Sequence, residues 1–230
     1  MVVNGKNDAQ AVAVLFSAGL DSAVLLADAA ARGPVVPIYV ASGLAWESAE
    51  QSAIDPLLAT RPYRRNASTP ITLHVDMRDV FPSTHWAVRG EAPAFDTPDE
   101  DVYIEGRNII LLSKAAVFMV RAGLHRVLIG PLEGNPFPDA TPEFFRTMED
   151  ALSLGLGARI SIEAPYAHLH KADVIRVGER LGVPFELTLS CMQPVAGTHC
   201  GRCSKCRERR DAFIEATVED PTRYASPPAR

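Results

Sequence analysis

Two short stretches of the chain hold most of the residues that could do chemistry. The first, VAVLFSAGLDSAVLL at residues 12–26, runs from one apolar segment through Ser17, Ala18, Gly19, Leu20, Asp21 and Ser22 into a second apolar segment. A strand, a tight turn of small residues and a helix would leave the helix's first backbone N–H groups unpaired. Those amides and the helix dipole together favour a phosphate. The spacing is neither the GxxxxGK[ST] of a Walker loop nor the GxGxxG of a dinucleotide fingerprint, so a different phosphate cradle is expected. A left-handed backbone at Ala18 would cost about 1–2 kcal/mol. The sequence therefore predicts a negative φ there and places the special conformation at Gly19.

The second stretch, SCMQPVAGTHCGRCSKC at residues 190–206, contains all four cysteines, Cys191, Cys200, Cys203 and Cys206, spaced C-x8-C-x2-C-x2-C. Four thiolates with none left over form the ligand set of a closed, structural Zn2+ site. An iron–sulfur cluster is the competing reading, weakened because the fourth cysteine lies upstream and no Cys-Pro follows. Disulfides are not expected in the cytosol. His199 reads as a neighbour of the four ligands. A tetrathiolate zinc site carries about two net negative charges. Arg202, Lys205, Arg207, Arg209 and Arg210 would balance them without invoking RNA.

These residues need a frame. Apolar runs at residues 12–16, 35–40, 71–75, 126–130 and 159–163 read as five strands, although Pro37 costs the second a ladder hydrogen bond. Between them, helices are expected at residues 23–31, 46–58, 109–120 and 171–181, with another starting at Pro142 under a Thr141 cap. The helix at 109–120 is apolar nearly all round and should be buried. Residues 76–106 read as a long, acidic loop. Strands alternating with helices imply a parallel sheet covered on both faces, with ligands at the strands' carboxyl ends.

The 230 residues, 47% hydrophobic, are enough for one domain with a full core. A net charge of −5 argues against a nucleic-acid partner. The first residues lack the apolar core of a signal peptide, and no run approaches the ~18 apolar residues of a membrane span, so a cytoplasmic protein without membrane association is expected.

The turn at 17–22 resembles the pyrophosphate loop of the PP-loop ATP pyrophosphatases, usually SGGxDS; Ser17, Gly19, Asp21 and Ser22 match and Ala18 departs. With the cysteine spacing, and with EGRNIILLS (105–113), IGPLEGN (129–135), PDATPEFF (138–145), APYAHLHKADV (164–174) and LSCMQP (189–194), nearly the whole chain resembles the 7-cyano-7-deazaguanine synthase (QueC) family. The resemblance implies an α/β, Rossmann-like (adenine nucleotide alpha hydrolase-like) fold. It would have a parallel five-stranded sheet, helices on both faces and a small C-terminal zinc-binding module. Residues 1–186 would form the ATP-binding domain, and residues 187–230 the four-cysteine module packed on it.

The activity implied is an ATP-dependent C–N ligase. It would adenylate a 7-deazaguanine-type carboxylic acid and let ammonia displace AMP; a second activation would give the nitrile preQ0. ATP, Mg2+ and Zn2+ are the implied cofactors, and a homodimer is what the family suggests. By the same resemblance Ser17, Ala18, Gly19, Leu20, Asp21, Ser22, Arg107, Asn108, Gly130 and Lys171 would hold ATP. Asp21, Lys171 and Arg107 would be catalytic, Asp21 helping to hold Mg2+ and Lys171 offsetting pyrophosphate charge. Glu133, Asn135, Phe137 and Asp139 would meet the base; His168 and His170 carry no assignment.

The departures fall on the acceptor side. ASGLAWESAE replaces the family's QRH-type segment, and Leu132, Asn135 and Thr141 stand where it has a cysteine, an aspartate and an arginine. One rival therefore keeps the activation but joins the acid to another amine, such as a protein, as in QueC-like paralogues of antiphage operons. A tRNA-thiolating enzyme and a non-catalytic nucleotide-binding subunit are the others; the first is disfavoured by the charge and by the absence of a spare cysteine.

Overall fold

The computed structural model describes residues 11–226. Five parallel strands, β1 (Val12–Leu15), β2 (Val35–Ala41), β3 (Ile71–His74), β4 (Arg126–Leu128) and β5 (Ser161–Glu163), form one sheet in the order β3-β2-β1-β4-β5. The expected parallel five-stranded sheet is therefore present. β2 tolerates Pro37 because of where its missing N–H would point. Val35 N–H goes to Asn66 and, by ladder alternation, residue 37 faces the same way, towards β3, where pairing begins only at Ile38.

Side chains alternate across the sheet, as a strand's period of two requires. Val14, Tyr39 and Leu128 join one core with helices α1 (Leu20–Arg32), α2 (Glu47–Leu58) and α6 (Lys171–Leu181). Leu15, Ile38 and Val127 join another with α4 (Arg107–Ala122) and α5 (Pro142–Leu156). α5 begins as its sequence dictates: Pro142 occupies the first turn and Thr141 Oγ1 accepts the Phe144 N–H.

Two expectations need correction, and one helix is added. α4 is not buried all round, since Ile109 and Val117 are exposed at 43% and 51%; only the stripe through Leu112, Ala115, Ala116 and Met119 faces the core. Residues 76–106 are not simply a loop. They contain the short helix α3 (Trp86–Arg89) and a 3-10 turn (Asp99–Val102), and Phe81, Ala87, Val102 and Ile104 bury themselves against Leu44 and Trp46. A seventh helix, α7 (Ser204–Ala216), starts after Cys203, contains Cys206 and has no counterpart among the helices expected from the sequence. Its Ala212, Phe213 and Ala216 enter the same core as α1, with Phe213 edge-on to Phe185 at 5.2 Å.

Candidate active site and metal centre

The strand order reverses beside β1, and the crevice at the carboxyl ends of the strands is where such a sheet binds ligands. A cavity of about 290 Å3 opens there. It is lined by Ser17, Gly19, Asp21 and Ser22 of the turn after β1, by Tyr39 and Glu50, by Arg107 and Asn108 at the start of α4, and by Tyr103, Gly130, Asn135, Phe137 and Asp139. Four segments distant in sequence thus meet at one place.

The turn differs from the sequence-based expectation at its first small residue. Ala18 has φ +58°, whereas Gly19 has φ −66° and ψ 155°, an ordinary extended helix cap. The left-handed position is therefore held by the alanine. Packing holds it there: the methyl is fully buried, and the carbonyl accepts the Leu189 N–H at 2.9 Å. At Gly19 the constraint is space: a Cβ would sit 3.1 Å from Ser17 Oγ, so the hydroxyl would have to shift by a few tenths of an ångström. Ser22 Oγ donates to the Gly19 carbonyl at 3.0 Å and accepts the Ser17 N–H at 3.3 Å, which closes the turn on itself. No side chain caps α1, so its first amides keep their capacity for an anion. Ala18 and Leu20 are buried and offer only backbone to a ligand.

Lys171, at the start of α6, is largely buried. Its Nζ lies 3.2 Å from Asp21 Oδ2 and hydrogen-bonds Glu208, which also receives Lys205 Nζ at 2.6 Å. Burial alone would depress the Lys171 ammonium, but Asp21 and Glu208 outweigh it and hold its pKa above the usual lysine value. Burial likewise opposes ionisation of Glu208, yet Lys171 and Lys205 bring its pKa to about 2. The other Asp21 oxygen, Oδ1, is buried and accepts no hydrogen bond among the described residues, as a cation ligand would be. Arg107 Nε is buried and donates no hydrogen bond among the described residues, as a group awaiting an anion would be.

Of the residues expected at the base, Phe137 stacks on Tyr103 with ring centroids 5.0 Å apart, and Asn135 Oδ1 accepts the Phe137 N–H at 2.9 Å. Asp139 is buried, and its Oδ2 accepts the Asn108 N–H at 2.9 Å while its carbonyl accepts Asn108 Nδ2. Its carboxylate thus satisfies an otherwise orphan amide of α4, and burial raises its pKa. Glu133 is exposed, lies outside the cavity lining and stands 3.5 Å from His170.

Glu50 was not singled out from sequence. It lines the cavity and is buried, and its Oε2 accepts the Tyr39 hydroxyl at 2.8 Å. Burial lifts its pKa to about 7 against the opposing pull of Arg107. An acid on an amphipathic helix looks like a solvent-face residue; only the partner hydroxyl, visible in three dimensions, marks it otherwise.

The four cysteines are buried with their Sγ atoms all within 4.8 Å of one another. Cys191–Cys203, Cys200–Cys206 and Cys203–Cys206 are separated by 3.9, 3.9 and 3.5 Å. A tetrahedron with Zn–S bonds of ~2.3 Å has edges of about 3.8 Å, so the cluster fits a metal ion. N–H groups of Gln193 and Cys200 point at Cys191 Sγ and that of Arg202 at Cys200 Sγ, which disperses thiolate charge. His199 is a neighbour: burial lowers its pKa to about 3, and its Nε2 accepts the Ser190 N–H at 3.0 Å.

The basic residues here do more than balance charge. Buried Arg209 donates to Thr188, Ser190, Thr222 and the Phe185 carbonyl. Arg207 reaches the Phe95 and Thr97 carbonyls, and Arg210 lies over the Phe95 ring. They tie the cysteine segment to the rest of the fold.

A sequence model described as "Queuosine biosynthesis protein QueC" matches residues 10–217. The chain belongs to the QueC family. Among its curated relatives, the 7-cyano-7-deazaguanine synthase of Thermoplasma volcanium is 34% identical over 226 residues, covering 94% of this chain and 91% of the relative. Those of Anaeromyxobacter dehalogenans and Myxococcus xanthus are 33% and 35% identical, over 95% and 92% of this chain and 97% and 96% of theirs. Among solved structures, a predicted subunit of tRNA methyltransferase from Methanocaldococcus jannaschii DSM aligns with TM-score 0.49 and 11% identity, over 91% of this chain and 89% of that one. The QueC relatives are synthases, in agreement with the ligase expected from the sequence. Two of the residues read from the sequence as departures have structural uses: Thr141 caps α5 and Asn135 braces Phe137.

Proposed function

We propose that this chain is an ATP-dependent ligase that activates 7-carboxy-7-deazaguanine and, with ammonia, forms preQ0 by way of the amide. The observation that carries the reading is the single cavity in which the uncapped turn, the orphan Asp21 Oδ1 and the orphan Arg107 Nε meet the Tyr103–Phe137 pair. A carboxylate resists attack because oxide is a poor leaving group. Its oxygen must first attack the α-phosphorus of ATP, breaking the bond to pyrophosphate and forming an acyl adenylate. Ammonia then displaces AMP and gives the amide. A second adenylation at the amide oxygen releases another pyrophosphate, and loss of both N–H protons and of AMP then gives the nitrile.

The work left to the protein is positioning and charge stabilisation. In this reading the amides at the start of α1, with Ser17 and Ser22, hold the phosphates, and Lys171 offsets charge on the departing pyrophosphate. Arg107 orients the substrate carboxylate, and Phe137 with Tyr103 offers the base a ring face. Asp21 would hold Mg2+, which supplies further charge neutralisation. Cys191, Cys200, Cys203 and Cys206 would hold Zn2+, which supplies a structural cross-link in residues 187–230 and no chemistry.

Mass spectrometry of the purified protein with ATP, Mg2+, 7-carboxy-7-deazaguanine and ammonium tests the proposal. Nitrile and AMP are expected. Accumulation of amide or adenylate would instead mark a ligase awaiting another amine, and absence of any conversion would reject the substrate.

A further inference from the structure

Glu208 is a partly buried carboxylate, its side chain 23% exposed, to which the mechanism above gives no part. It lies on α7, beyond Cys206, and it contacts Lys171 and Lys205 together. Asp21, Lys171, Glu208 and Lys205 therefore run as a chain of alternating charge from the phosphate turn to the cysteine segment. We propose that Glu208 is a positioning residue that holds Lys171 beside the phosphate turn and so couples the four-cysteine segment to ATP binding. This rests on the reading of Lys171 and the turn as the ATP site.

The charges explain why a brace is needed. With Glu208 removed, the Lys171 ammonium has Asp21 as its remaining ion-pair partner. It would close onto that carboxylate and occupy the group that a cation would use. With Glu208 present, the ammonium is held between two acids and can turn to an arriving phosphate without leaving its seat.

A second contact makes the coupling a property of the segment and not of one side chain. Leu189 N–H, beside the first cysteine of the cluster, holds the strained Ala18 carbonyl at 2.9 Å. Arg209, the residue after Glu208, donates to Thr188 and to the Phe185 carbonyl, which joins the Leu189 stretch to α7. Both attachments to the turn thus come from one hydrogen-bonded block.

The test uses the full chain and its Glu208→Gln and Lys205→Met variants. It measures metal content, affinity for an ATP analogue with a non-cleavable α,β bridge, and the Mg2+ concentration at half-maximal AMP formation. Glu208→Gln should retain its metal, bind the analogue about tenfold more weakly and need several-fold more Mg2+. Lys205→Met, which also takes a partner from Glu208 but leaves Lys171 in place, should stay within about twofold. Unchanged analogue binding in Glu208→Gln, or an equal loss in Lys205→Met, would overturn the proposal in favour of simple anchoring of α7. Should Glu208→Gln lose its metal, Glu208→Asp keeps the charge and withdraws it by one methylene. Weaker analogue binding with metal retained then supports the proposal, and unchanged binding overturns it. If the unaltered protein does not bind the analogue, the ATP-site reading itself fails.

Discussion

The backbone N–H of Leu189 donates to the carbonyl of Ala18 at 2.9 Å, so a residue next to the cysteine cluster fixes a strained position of the phosphate turn. Opposing terms set the effect of changing Ala18. Glycine would relieve about 1–2 kcal/mol of left-handed strain. It would also forfeit a buried methyl worth about 0.8 kcal/mol and add about 0.5–1 kcal/mol of unfolded-chain entropy. Ala18→Gly is therefore expected to shift stability by less than about 1 kcal/mol. Ala18→Val, β-branched at positive φ and overpacked, should cost more than about 2 kcal/mol. Thermal melting of the two variants checks both, and a large gain from glycine would mean that the methyl contributes nothing.

Asp21 and Lys171 need different substitutions because they form a partly buried ion pair. Lys171→Ala leaves Asp21 without its cation and Glu208 with Lys205 alone, so it should lose about 1–3 kcal/mol of stability as well as AMP formation. Asp21→Asn keeps the shape of the turn and should abolish AMP formation with only a small change in melting. Normal turnover in Asp21→Asn would remove that carboxylate from the mechanism.

Cys203→Ser should release the metal and lower stability by several kcal/mol, because structural zinc contributes about 10–16 kcal/mol of apparent binding energy in small domains. Metal content and melting temperature are read together. Metal-free protein with an unchanged melting curve would contradict a structural role.

Glu50 makes a prediction about pH. Its carboxyl is faced by Tyr39 from β2, Glu47 and Trp46 at the start of α2 and Arg107 from α4, and burial lifts its pKa to about 7 from an ordinary 4.5. Between those values the folded chain holds a proton that the unfolded chain has lost. Stability from this group is therefore complete below pH 4.5 and falls as pH rises to about 7, by about 3 kcal/mol. Glu50→Gln should be more stable than the unaltered protein at pH 8 and lose the advantage at pH 5. Parallel melting curves at both pH values would show that Glu50 is ionised throughout.

The sheet could be read from the sequence because each strand is an apolar run bounded by turn residues, and residues 12–16, 35–40 and 71–75 differ from β1, β2 and β3 by one residue at the carboxyl end. α7 could not: SKCRERRDAFIEA shows no apolar stripe, since its buried residues include a cysteine and an arginine whose burial depends on ligands and hydrogen bonds from elsewhere. The turn's residues were visible, but which of them takes positive φ is decided by Leu189, far along the chain. Asp139 and Glu133 looked alike as candidate base readers; one is committed to Asn108 and the other lies outside the cavity. Glu50 gave no signal because its partners, Tyr39 and Arg107, are not at helical spacing from it.

The place of α7 also bears on how the protein is made. Ala212, Phe213 and Ala216 complete the same core as Val14 and Leu20, near the other end of the chain. A nascent chain that has not yet emerged past residue 204 would expose the surface of α6 that α7 later covers, and Phe185 would lack the ring of Phe213. Closure of this core must wait until residue 216 has emerged, and pairing across so long a separation makes folding slow. Until then the growing polypeptide presents apolar surface to its neighbours on the ribosome, so it is in translation that this protein is most exposed to aggregation.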